Sequence, residues 1–181
     1  MKSLRLALLP LFVATSAAAA GLEGLNNYVQ YSERFSSSGQ PTSGQLELLR
    51  DAGFERVVYI AFSDHENALP NEDRLVKALG MDYLHVPVDW AAPAPGDFYM
   101  VAGAMQAAPE KRTLLHCQVN YRASAFSFLY RVIYAGVPLE EARRDMERVW
   151  QPNETWQRYI DALLAENGLG NEEDENHEGE Q

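Results

Sequence analysis

A second cysteine is missing from this chain: among its 181 residues only Cys117 carries a thiol. A lone cysteine cannot close an intramolecular disulfide, so Cys117 is either an inert buried group or a chemical one. Basic side chains are also scarce, 15 Lys and Arg against 26 Asp and Glu, for a formal charge of −11. Such a surface repels nucleic acid and anionic lipid, since both need phosphate neutralisation by Lys and Arg. Beyond residue 20 no apolar stretch approaches the length of a membrane span. Internal repeats and a dividing linker are absent too, and nothing sets an oligomeric state. Asp64, His65 and Glu66 are neighbours in sequence while His85 and His116 lie apart, and adjacent side chains rarely converge on one metal. No metal and no cofactor is expected.

The first 20 residues read as an address. Lys2 and Arg5 form a short basic region, residues 6–20 are apolar or small, and Ala18 and Ala20 offer a small-residue cleavage pattern. That is the anatomy of a secretory signal peptide, and it points to export, to a bacterial periplasm. Cleavage before Gly21 removes two cations, leaving 13 basic and 26 acidic side chains and a charge of −13. One domain is expected over residues 21–167. Residues 168–181, ending in "NEEDENHEGEQ", have almost nothing to bury and are expected to form an acidic, disordered tail.

Between these ends strands and helices alternate. Thr42 with Gln45 three residues on makes a capping box for a helix over 43–51, stopped by Gly53. "ERVVYIAF" (55–62), "DYLHVPVDW" (82–90) and "KRTLLHC" (111–117) read as strands, with Pro87 placing the second at an edge or a bend. Helices are expected from an Asn71 cap to Gly80, from an Asp97 cap to about Ala107, and from about Arg122 to Ala135. Two more follow, one with Pro138 in its first turn and one from Asn153 to about Gly168. This alternation predicts an α/β domain with a mainly parallel central sheet flanked by helices.

In such a sheet ligands bind at the carboxyl ends of the strands, where Cys117 and Asp89 both lie. The loop after Cys117 leads into a helix N-terminus, whose unpaired N–H groups favour an anion. A helix N-terminus and a nearby arginine lower a thiol's pKa and raise its reactivity. Arg122 brings a planar fork suited to two oxygens of a phosphate or sulfate-like group. The amides of Gln118, Val119, Asn120 and Tyr121 can curl into a nest, with Asn120 best able to take the left-handed conformation this needs.

"HCQVNYRAS" resembles the signature loop of the protein tyrosine phosphatase superfamily: His-Cys, a short loop, Arg, then a hydroxyl residue. The similarity runs from about Ser38 to Ile133, through "SGQPT", "HVPVDW" and "HCQVNYRASAF", and is greatest to bacterial phosphatase-like proteins of the beta-lactamase-hydrolase-like group. It implies the compact dual-specificity fold and a phosphorylated substrate of unspecified class. It implies Cys117 as a nucleophile that forms a phosphocysteine, with Arg122 on the phosphoryl oxygens. It implies His116 as the residue that holds the loop in shape through backbone and ring hydrogen bonds. It further implies Ser124 as an aid to the leaving thiolate and Asp89 as general acid, with Asp97 and Asp64 as other acids in reach. The loop departs from the family by one residue, with four between Cys and Arg instead of five, and Ala123 separates Arg122 from Ser124. Counting back from Ser124 would put Ala123 in the arginine's place, leaving a bound dianion uncompensated. The four-residue spacing also resembles the rhodanese sulfurtransferases, and a catalytically inactive anion-binding domain is a third reading. His116 and Asp89 favour the phosphatase.

Overall fold

The computed structural model describes residues 19–170. The expected signal peptide, apart from Ala19 and Ala20, and the acidic tail beyond residue 170 lie outside the described residues. Five strands form one sheet in the order β1-β2-β5-β3-β4: β1 (Val29–Gln30), β2 (Phe35–Ser38), β3 (Arg56–Tyr59), β4 (Asp82–His85) and β5 (Thr113–His116). Only β1 runs antiparallel, against β2; the other pairs are parallel. Parallel neighbours need crossovers, and α2 (Ser43–Asp51), α3 (Glu72–Ala78) and α4 (Pro95–Ala107) supply them. A one-turn α1 (Ala19–Leu22) precedes the sheet, and α5 (Tyr121–Ile133), α6 (Leu139–Glu147) and α7 (Glu154–Glu166) follow it.

Side chains alternate across the sheet. Val57 and Leu114 face one layer with Leu46, Leu49 and Val76, while Val58 and Leu115 face the other with Phe126, Leu129 and Trp156. Helices cover both faces, which is why the central strands read as unbroken apolar runs. The capping box of α2 is closed: Gln45 N donates to Thr42 Oγ1 at 3.3 Å and Thr42 N to Gln45 Oε1 at 2.9 Å. Asn153 caps α7 by accepting from Trp156 N at 3.0 Å.

Several expectations need correction. The strands are shorter than their sequence runs, because residues 60–62 and 86–90 leave the ladder; Val86 N and Val88 N still bond Tyr59 O and Ile60 O. Asn71 is left-handed (φ 56°) and its side chain caps nothing. Asp97 is not the cap of α4 but sits inside its first turn, accepting from Ala94 N at 3.3 Å. Strands β1 and β2 carry no strand-like pattern in sequence. Phe35-Ser-Ser-Ser is nevertheless fully buried, with Ser36 and Ser37 paired to Tyr28 and Tyr31 at 3.0 and 2.8 Å and Ser38 donating to Gly39 O at 2.7 Å.

Candidate active site

Strand β5 ends at His116, Cys117 follows, and α5 begins at Tyr121. The three residues between must therefore turn sharply, and Asn120 does so in the left-handed conformation expected of it, at φ 72°. Its buried Nδ2 donates to Asn27 O at 2.6 Å, and Asn27 Nδ2 donates in return to Val119 O at 2.9 Å. On the other side Gln40 N donates to Gln118 O at 3.0 Å and Cys117 N to Ser38 O at 3.3 Å. Gly39 is required here by close approach: a Cβ would stand 2.8 Å from Gln118 O and 3.0 Å from the Asn26 side chain.

With its carbonyls tied outward, the loop leaves its amides free. Among the described residues the N–H groups of Gln118, Val119, Tyr121, Arg122 and Ala123 meet no protein acceptor. Such a row at a helix N-terminus is an anion-binding arrangement. Cys117 is 1 % exposed yet lines a cavity of about 690 Å³. Gln118, Val119, Tyr121, Arg122 and Asp89 line the same space, together with Trp90, Phe62 and the Asp64–Glu66 segment. Cys117 therefore borders an open hollow on one side while packing into the hydrophobic core on the other.

Arg122 is buried at 6 % exposure. Its Nη1 donates to Val88 O at 2.9 Å and its Nη2 to Gln118 Oε1. The first bond fixes the strand-end segment carrying Asp89 against the cysteine loop; the second holds a neutral oxygen on one arm of the fork. A guanidinium has five N–H groups, so most of its donors remain for a ligand. The Trp90 ring lies 5.8 Å from the guanidinium carbon. Trp90 is held in turn by Trp150 and Trp156 at 5.3 and 5.4 Å between centroids, and Tyr121 stacks on Trp150 at 4.9 Å.

Asp89 is exposed at the cavity wall, and its Oδ1 accepts from Ala91 N at 2.8 Å, which shapes the turn after β4. Asp64 also lines the cavity, whereas Asp97 is turned to the start of α4. His116 is not brought to the cavity. Fully buried on the far side of the strand, its ring stacks on Tyr59 at 4.7 Å, and Tyr59 stacks on His85 at 4.9 Å, a ladder across β5, β3 and β4. The ring hydrogen bonds expected of His116 are absent. Its Nε2 lies 3.2 Å from Glu72 Oε1 but off the hydrogen-bond axis, and neither ring nitrogen has an aligned partner. The backbone bond is present, from Ile60 N to His116 O at 3.0 Å. Ser124 is buried and its hydroxyl donates to Tyr121 O at 2.9 Å, bracing the first turn of α5 rather than facing the hollow.

Sequence reasoning missed Phe62, Gly39, Asn27 and Glu72. Glu72 is 4 % exposed and accepts from Gln40 Nε2 at 2.8 Å and Tyr83 Oη at 3.3 Å. Burial and this carboxylate push the Tyr83 phenol well above its ordinary range. Nothing in the local sequence marks Glu72, since its partners come from three other elements.

No family model matches the chain, and no curated protein matches it. Solved structures do. A DUF442 candidate phosphatase from Shewanella putrefaciens CN-32 is 32% identical with a TM-score of 0.76, over 84% of this chain and 99% of that one. TpbA of P. aeruginosa in complex with pTyr is 19% identical with a TM-score of 0.61, over 80% and 91%. PTPMT1 in complex with PI(5)P is 14% identical with a TM-score of 0.66, over 78% and 96%. The last two share the fold.

Proposed function

Because the chain belongs to the protein tyrosine phosphatase-like family, we propose that it hydrolyses phosphomonoesters through a phosphocysteine intermediate. The supporting observation is the meeting of Cys117, the buried Arg122 fork and a row of unpaired N–H groups in one open cavity. The Cys117 thiolate attacks phosphorus while the alkoxide or phenoxide leaves on the opposite side. Arg122 and the unpaired N–H groups of Gln118, Val119, Tyr121, Arg122 and Ala123 hold the three equatorial oxygens, whose charge is greatest in the transition state. Asp89 gives a proton to the leaving oxygen and then takes one from the water that cleaves the phosphocysteine, which returns thiolate and inorganic phosphate. Ala91 N bonds only Oδ1, so Oδ2 is the oxygen that carries the proton.

The route through Cys117 is tested with an aryl phosphate and the Cys117→Ser variant. Turnover is expected to fall at least ~10³-fold with the melting temperature unchanged. Phosphate release by the serine variant at the native rate would sink the mechanism. The four-residue loop spacing favours one competitor, sulfur transfer, and thiosulfate with cyanide offered to the same protein decides between them: thiocyanate formation without phosphate release selects the competitor.

A further inference from the structure

Charge sets this cavity apart from a general phosphate site. Among the described residues Arg122 is the only Lys or Arg lining it, whereas Asp64, Glu66 and Asp89 bring three carboxylates, with His65 between the first two. One buried fork and a row of N–H groups suit a single phosphoryl group. A second phosphate on the same molecule meets Asp64 and Glu66, where like charges repel. A positive charge in that place is attracted instead. Phe62 and Trp90, 43% and 37% exposed, offer apolar faces at the same mouth for the stem of a Lys or Arg.

The hollow also continues beyond what one leaving group needs. Gln118 and Val119 line a second depression of about 500 Å³, walled by Pro41, Thr42, Asn67 and Ala68 and free of charged side chains. The segment of residues 62–70 borders both spaces, and the ridge between them is the cysteine loop itself. Neutral amides and hydroxyls on such a floor fit the alternating donors and acceptors of an extended backbone.

We infer that the site selects a phosphorylated polypeptide segment with Lys or Arg beside the phosphorylated residue. The cation sits at Asp64 and Glu66, and the chain crosses Gln118–Val119 into the neutral depression. Polyphosphorylated small molecules are rejected. This rests on the phosphatase reading above and narrows it.

The test compares kcat/KM for two phosphotyrosine peptides alike except for flanking Lys or flanking Glu, with p-nitrophenyl phosphate and an inositol bisphosphate alongside. The Lys-flanked peptide is expected to lead the Glu-flanked one about tenfold at low salt, the lead shrinking at about 0.5 M salt. Glu66→Lys is expected to erase or invert that lead. Equal values for the two peptides, a lead that Glu66→Lys leaves intact, or inositol bisphosphate turned over as fast as the Lys-flanked peptide each overturn the inference. Failure of p-nitrophenyl phosphate and both peptides to turn over defeats the phosphatase reading separately. Binding of the two peptides to Cys117→Ser then decides the selectivity alone: a tenfold preference for Lys supports it, and equal affinities overturn it.

Discussion

The two ends of the sheet hold their cations in opposite ways. At the carboxyl ends of the strands stands Arg122, bound to one backbone carbonyl and one side-chain amide, amid N–H groups that have no acceptor. At the amino ends of β3 and β5 stand Arg56, Arg112 and Lys111, each bound to at least one protein acceptor, with Arg112 Nε left over. Arg56 donates to Thr113 Oγ1 and to the carbonyls of Ala104 and Ala108, Arg112 to Ala52 O, and Lys111 to Asp82. Helices α2 and α4 finish there and present orphan carbonyls, the negative end of each dipole. These cations face helix C-termini, whereas Arg122 stands beside a helix N-terminus, because in a parallel sheet the helices that follow the strands start at the carboxyl end.

Exchanging the cations one at a time breaks this contrast most sharply. Arg122→Lys keeps the charge but loses the fork, and kcat/KM is expected to fall about 10²–10³-fold with little change in unfolding midpoint. A loss confined to stability would erase the distinction. Arg56→Ala should do the reverse: the folded enzyme keeps its kcat, while stability drops by about 2–4 kcal/mol through lost bonds and two uncapped carbonyls, measured by urea unfolding. Burial already holds the Arg56 guanidinium's pKa below its ordinary value.

Gly39→Ala sharpens the comparison at the active end. The added carbon meets Gln118 O, a backbone atom that cannot swing aside, so about 1–3 kcal/mol of stability and roughly tenfold in kcat should go together. A variant of normal stability and full activity would show that the loop tolerates displacement. The smallest effect is in alkali. Burial raises the Tyr31 and Tyr59 phenols from 10.0 to about 12. Below pH 10 neither the folded nor the unfolded chain ionises them, so their contribution to stability is complete. Between about 10 and 12 the unfolded chain loses these protons first, and stability falls as pH rises. Unfolding midpoints at pH 9, 10, 11 and 12 check the sign, and Tyr31→Phe should flatten the slope.

What was legible in the sequence is what neighbours in sequence decide. The capping box at Thr42 and Gln45, the left-handed Asn120 and the run from buried strand to Cys117 to apolar helix are each local, and from them follow the α/β class and the place of the site. What was illegible depends on residues far apart. Three serines make a buried strand because Tyr28 and Tyr31 pair with the hydroxyls of Ser36 and Ser37 and Ser38 donates to Gly39 O. The ring of His116 is held by stacking and by Glu72, 44 positions earlier, rather than by the hydrogen bonds expected of it. Asp64 and Asp97 looked alike as acids until the turn of α4 claimed Asp97. Asp64, His65 and Glu66 read as adjacent ligand types with no metal to hold, and only the fold places them on the cavity that Cys117 lines.

The pair of amides joining Asn27 to the cysteine loop spans 92 and 93 positions in sequence. Residues near the start of the described chain thus cannot finish their work until most of the polypeptide has been made. Contacts of such long range form late, since the entropy of closing so large a loop must be met before they return anything. The pairing of β2 with β5 is of similar range, so the central sheet and the clasp on the cysteine loop both wait for the same late-made segment.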